Sequence, residues 1–244
     1  MRIAIISDIH GNMTALDAVT LDIDSTGIET VYVAGDLALF GPNPRKCVST
    51  VRQNEWPSVR GNTDRMIADF DELVAAESLD PEAGVGKTVA WTRDQLGDEL
   101  VSYLGSLPES LRVESESVAG ALTIVHGTPR SDEEGLVEGD NDERLLVLTQ
   151  AAHAYGIIGG HTHKSFARMV HGTLIANAGS VGRSYEGRPG RATYLALADE
   201  RGVWSVEIRH VRYDHGRNYR AIEEQGVPID HALAEPFNTA VAPT

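Results

Sequence analysis

The feature that most constrains this chain is a recurrence. A short apolar run rich in β-branched residues stops abruptly at a polar turn containing glycine, at Arg2–Ser7, Thr30–Ala34, Trp56–Arg60, Ala121–Val125 and Tyr155–Gly159. Runs of this length bounded by turn residues predict buried strands. Between the first three lie helical patterns: Met13–Ile23, with apolar residues spaced near 3.6, and Pro44–Gln53, which opens on a proline in the favoured first-turn position. The first half therefore reads as βαβαβ, an α/β arrangement.

From Arg65 to Leu107 no strand is predicted, only helices around Asp69–Glu77, Glu82–Leu96 and Glu99–Leu104, which form a helical insert or cap after the third strand. Beyond residue 160, Phe166–Val170, Thr173–Asn177, Thr193–Ala198 and Val203–Arg212 predict strands, joined by turns at His171-Gly172 and Glu200-Arg201-Gly202. A second, more antiparallel sheet is expected. With 244 residues, 41% of them hydrophobic, and no linker or repeat, one domain over 1–230 is expected, followed by a loose tail at 231–244.

Several classes are excluded by composition. Ile3-Ala4-Ile5-Ile6 is too short for a signal-peptide core, and no run approaches the roughly 18 apolar residues of a spanning helix, so a chain in the cytoplasm without membrane partners is expected. The lone Cys47 cannot form an intramolecular disulfide and is read as a small apolar helix residue. A net charge of -15 opposes bulk nucleic-acid binding, which draws its affinity from Lys and Arg contacts to phosphate. A small substrate is the expected partner, with oligomeric state left open.

Chemistry-bearing residues follow the predicted strands: Asp8 and His10, Asp36, Asn62, His126, then His161 and His163. In an open α/β sheet the carboxyl ends of the strands open onto the ligand crevice, so these side chains can converge although distant in sequence. The i, i+2 pairs Asp8/His10 and His161/His163 can act together, since alternate residues of extended chain share a side. Carboxylate, imidazole and amide oxygen suit borderline or hard divalent ions, and seven such groups exceed the needs of one. Two ions sharing a bridging carboxylate would use them all; such pairs, about 3.5–4 Å apart, activate water and clamp a transferring phosphoryl group.

The segments Ser7-Asp8-Ile9-His10-Gly11-Asn12, Gly35-Asp36, Gly61-Asn62, Val125-His126-Gly127 and Gly160-His161-Thr162-His163 resemble the five signature motifs of the calcineurin-like metallophosphoesterase superfamily. Asn177-Ala178-Gly179-Ser180-Val181 and the opening motif resemble its small prokaryotic phosphodiesterase branch. The resemblance implies two packed mixed β-sheets flanked by helices, a four-layer αββα sandwich. It implies one cation on Asp8, His10 and His163, another on Asn62, His126 and His161, and Asp36 bridging. The implied reaction is hydrolysis of phosphodiester or phosphoanhydride bonds by a hydroxide bridging two divalent ions, manganese foremost, with iron, zinc, nickel or magnesium open.

One departure matters. Many members read Gly-Asn-His-Asp at the third motif, whereas this chain reads Gly61-Asn62-Thr63-Asp64. Thr63 can donate a hydrogen bond to a phosphoryl oxygen but cannot act as general acid near neutral pH, which predicts a bias toward good leaving groups. Asp64 is left with a structural role or with orienting water. Arg60 is a candidate phosphate contact or a surface ion pair, and Asn12 a candidate ligand contact or a helix cap. Arg183, Arg188 and Arg191 could reach a substrate or form an exposed basic loop. His153, His171, His210, His215 and His231 are expected on the surface or in turns. The alternatives are a phosphomonoesterase of nucleotide or Ser/Thr phosphatase type, and a non-catalytic scaffold such as the retromer subunit of this fold.

Overall fold

The computed structural model describes residues 1–118, 120–149 and 154–243. His153 lies outside them. The first half contains β1 (Arg2–Ile6), α1 (Met13–Asp24), β2 (Thr30–Val33), α2 (Pro44–Gln53), α3 (Asn62–Ala68), α4 (Phe70–Ala75), α5 (Gly84–Leu96) and α6 (Asp98–Ser106). Then come β3 (Ser110–Val113), β4 (Leu122–Val125), α7 (Asp142–Thr149), β5 (Gly156–Gly159), β6 (Phe166–Val170), β7 (Thr173–Asn177), β8 (Arg191–Glu200) and β9 (Val203–Arg212). Helices α8 (His215–Glu224), α9 (His231–Ala234) and α10 (Pro236–Thr239) close the chain.

The strands form two mixed sheets, ordered β2-β1-β8-β9 and β3-β4-β5-β7-β6. In the first, β1 runs parallel to β2 and antiparallel to β8; in the second, β4, β5 and β7 are parallel while β3 and β6 run against them. Strand periodicity explains the layering. Ile3 and Ile5 of β1 face Leu122, Ile124, Ile158, Leu174 and Ala176 of the other sheet, whereas Ala4 and Ile6 pack against Leu16 and Val19 of α1 and Val48 and Val51 of α2. In the second sheet Ile157 and Ile175 turn outward onto Leu145 and Leu148 of α7. Both faces of the central strands β1, β4, β5 and β7 are therefore largely covered, which is why these strands read as nearly unbroken apolar runs. The αββα sandwich expected from the sequence is the observed fold.

Three local readings are corrected. Trp56–Arg60 is not a regular strand: it touches β2 through the Val33–Ser58 bridge, with Val33 N donating to Pro57 O and Val59 N to Val33 O. Pro57 has no N–H to extend the ladder. Edge strand β3 and helix α7 were not anticipated from sequence. The segment read as a loose tail instead carries α9 and α10 and seats Phe237, 1% exposed, in the helical core. Phe237→Ala should lower stability by about 3–5 kcal/mol through lost burial and the cavity left behind; a denaturant melt indistinguishable from wild type would show that this segment does not support the core.

Cys47 is free and fully buried in α2, and burial pushes its thiol pKa up, as suits an apolar helix residue. No helix among the described residues is long and apolar enough to cross a membrane.

Candidate metal centre

The loops after β1, β2, β4 and β5 and the start of α3 meet at one point between the carboxyl ends of the two sheets' strands. Asp8, His10, Asp36, His126 and His163 are buried there, with Asn62 and His161 half-buried. Asp8 Oδ1 lies 3.1 Å from His163 Nε2, which faces His10 Nε2 at 3.1 Å. Asp36 reaches both sides: Oδ2 is 3.5 Å from His10 Nε2, and Oδ1 is 3.4 Å from His126 Nε2. Asn62 Oδ1 sits 3.0 Å from His126 Nε2 and 3.3 Å from His161 Nδ1. All seven residues singled out by the motifs are thus brought together.

Backbone carbonyls set the imidazole orientations. His10 Nδ1 donates to Leu39 O at 3.0 Å, His126 Nδ1 to Ala34 O at 2.7 Å and His163 Nδ1 to Arg183 O at 2.5 Å, so each ring presents Nε2 to the centre. Burial pulls the His10 pKa down to about 3, leaving a neutral ring with a bare Nε2 lone pair at neutral pH. Burial also lowers His161, and His126 reinforces this. Burial would lower His126 as well, but the Asp36 and Asp8 charges outweigh it and its pKa is raised. Burial opposes ionisation of Asp8, yet His163 and the other histidines hold it well below the usual carboxylate range. Asp8 Oδ1 is buried without a hydrogen-bond partner. The unpartnered Asp8 Oδ1 meets the Nε2 atoms of His10 and His163, and a divalent cation fits that concentration of acceptors. Two overlapping sets that share Asp8 place ligand atoms close enough for an ion: Asp8, His10 and His163, and Asp8, Asp36 and His126.

The convergence needs unusual backbone. Asp8, His10, Asp36, His161 and His163 all have positive φ, between 46° and 67°, a region non-glycine residues enter at a cost. The motif glycines permit close approach. A Cβ on Gly61 would collide with Asp36 Oδ1, and one on Gly160 would lie 2.5 Å from Asp8 Oδ2.

Asp64 is a backbone clamp. Its Oδ2 accepts from Asp36 N at 2.8 Å and Gly61 N at 3.0 Å, and its Oδ1 accepts from Leu37 N at 2.9 Å. Thr63 N donates to Asp36 Oδ1 at 3.0 Å, while the Thr63 hydroxyl is buried with no partner. Asn12 is no substrate contact: it is fully buried, its Oδ1 caps α1 through Ala15 N, and its Nδ2 donates to Gly182 O. Arg60 is half-buried, with Glu109 3.8 Å away. Asn177, cited above only for its motif, donates from Nδ2 to Gly160 O and Thr162 Oγ1, fixing the His161–His163 loop. His171, His210, His215 and His231 lie exposed or half-buried on turns, β9 and helix starts.

Arg183 departs from both readings of its loop. Only 4% exposed, it sits over the rings of Phe40, Tyr185 and Phe237 and donates to Tyr185 Oη and Leu233 O. Tyr185 in turn stacks on His163 at 4.3 Å between centroids. Nothing in the sequence points to this, because Phe40 and Phe237 lie far from Arg183 in the chain.

A sequence model of the calcineurin-like phosphoesterase superfamily domain matches residues 1–201. The chain belongs to the calcineurin-like phosphoesterase superfamily. An uncharacterized protein of Methanocaldococcus jannaschii is 31% identical over 246 residues, covering 93% of each chain. The crystal structure of a metallophosphoesterase from Sphaerobacter thermophilus, 28% identical, matches with a TM-score of 0.77 over 99% of both chains. That of a hypothetical protein from Pyrococcus horikoshii OT3 matches with a TM-score of 0.81 over 99% of both at 20% identity, a likeness of fold alone. The superfamily is metal-dependent, and this member clusters candidate ligands in Asp8, His10, Asp36, His126 and His163.

Proposed function

We propose that this chain is a metal-dependent hydrolase that cleaves phosphodiester or phosphoanhydride bonds at a dinuclear centre. The observation that carries this reading is the unpartnered, buried Asp8 Oδ1 beside two imidazole nitrogens that face each other. Asp8, His10 and His163 would hold one cation and Asn62, His126 and His161 the other. Asp36 would serve both, because its two oxygens face histidines of opposite groups. Two divalent cations supply activation of a water nucleophile and positive charge against the phosphoryl oxygens. Manganese is the first candidate and the cytoplasm the proposed compartment.

The chain's own groups do the positioning. Asp64 fixes the loops that carry Asp36 and Gly61, and Thr63 N–H orients the Asp36 carboxylate. The Thr63 hydroxyl, free of protein partners, can donate to a phosphoryl oxygen but cannot protonate a leaving group. The leaving oxygen therefore takes its proton from solvent, which favours good leaving groups and so anhydrides or activated diesters. Thr63→His should raise turnover on esters with poor leaving groups by about tenfold or more, up to the roughly 10²–10⁴-fold usual for a general acid. The check is a series of aryl phosphodiesters of graded leaving-group acidity; an unchanged slope of rate against acidity would remove Thr63 from this role. The same threonine favours a second reading, a non-catalytic scaffold.

Hydrolysis of an aryl phosphodiester and its monoester by chelator-stripped protein, with manganese restored, separates the two. Manganese-dependent cleavage supports the enzyme, and the diester to monoester ratio reports its preferred bond. Stoichiometric metal binding with no cleavage of any phosphoester supports the scaffold.

A further inference from the structure

A cavity of about 510 Å³ opens beside the metal centre, with His126 in its wall. Four arginines line it, Arg60, Arg65, Arg112 and Arg130, in a chain with 36 acidic residues against 21 Lys and Arg. Strand register explains part of this concentration. In the β3–β4 hairpin Arg112 pairs with Thr123 and Ser110 with Val125, so alternation turns these four residues to one face, and all four line the cavity.

The arginines divide by what holds them. Arg65 pairs with Asp132 at 2.6 Å and Glu133 at 2.8 Å, and Arg130 with Glu134 at 2.6 Å; these contacts hold the wall formed by residues 128–132. The carboxylate partners of Arg60 and Arg112 face solvent, and Arg60 Nη1 adds only a long contact of 3.5 Å to Gly105 O. Glu109, 89% exposed, is 3.8 Å from Arg60, and Glu114, 73% exposed, is 3.0 Å from Arg112. Exposed pairs of this kind contribute little, so an anion can replace them readily. A guanidinium fork matches two phosphate oxygens, and the Ser110 and Thr123 hydroxyls add neutral donors.

We infer that this cavity receives a second phosphate group of the substrate, held by Arg112 and Arg60 while the scissile group lies at the metal centre. The inference rests on the proposed hydrolase reading and narrows it to phosphoesters or anhydrides that carry an additional phosphate. Such a group could come from a polyphosphate chain or from a separate phosphate ester on the same molecule, and the chemistry that binds it is shared.

The test is calorimetric binding of methylphosphonate, methylenebisphosphonate and 1,3-propylenebisphosphonate to manganese-loaded protein, none of which requires turnover. Wild-type protein should bind a bisphosphonate at least about tenfold more tightly than methylphosphonate, and Arg112→Gln should remove most of that preference. Arg201→Gln, an equal charge change on the β8–β9 turn, should keep it. Tighter binding of the methylene-linked probe points to a polyphosphate chain, and of the propylene-linked probe to a separate ester. Equal affinity for one and two phosphonates in wild type, or a preference that survives in both Arg112→Gln and Arg60→Gln, overturns the inference. Absence of aryl diester cleavage with the preference intact would instead overturn the hydrolase reading and leave an anion site.

Discussion

Asp36→Ala should lower manganese-dependent phosphodiester cleavage by on the order of 10³-fold or more, because a bound cation supplies several kcal/mol of transition-state stabilisation. It should also reduce bound manganese per chain. The geometry makes this the most damaging single change: Asp36 is the residue whose two oxygens face His10 and His126 separately. Loss of Asp36 also leaves Thr63 N–H without its acceptor, a cost of about 1–3 kcal/mol, but it removes one carboxylate from beside Asp64, where burial first and then like charge oppose ionisation. The fold should therefore survive, which a melt can verify before metal is counted by atomic emission. A variant that retains its metal stoichiometry and its rate would disprove the shared-ligand assignment.

Asp64→Asn carries the second large effect, and it is chiefly structural. Three backbone N–H groups, of Asp36, Leu37 and Gly61, converge on this buried carboxylate. An amide keeps one oxygen and turns an NH₂ toward at least one of those donors, at a cost of about 2–4 kcal/mol in stability. Because Asp36 is held at φ 59° by that clamp, metal affinity should fall by about 10–100-fold as well, the range seen when groups behind a ligand are removed. Thermal melts and manganese titrations measure both. A normal melt and normal affinity with a reduced rate would instead assign Asp64 to orienting water.

The metal centre was legible in the sequence because chemistry and placement coincided: ligand-type residues stood after apolar runs whose ends must open on one crevice. Other features were hidden for identifiable reasons. Asn12 carries an amide that serves equally as ligand contact or helix cap, and only its burial and two hydrogen bonds decide. Trp56–Arg60 has strand-like composition, but Pro57 interrupts the donors that a ladder needs. Edge strand β3 is four residues long and partly exposed, so its alternation is too brief to stand out. The burial of Arg183 is created largely by Phe40 and Phe237, distant in the chain, and no local period encodes it. The role of Asp64 as a clamp likewise depends on a loop 27 residues away.

Five ligand-bearing residues share left-handed backbone, and the Asp8 Oδ1 among them is buried without a hydrogen-bond partner. Each such conformation costs roughly 1–3 kcal/mol. The centre is thus a local fault line that the surrounding sandwich tolerates. A redesign of this sequence scored on folding alone would replace His10, His161 and His163 first, with glycine as the natural substitute, whereas Asp8 and Asp36 also accept backbone N–H groups that glycine would orphan. Thermal hardiness and metal chemistry pull the three histidine positions in opposite directions, so a gain in melting temperature at any of them is a warning about function.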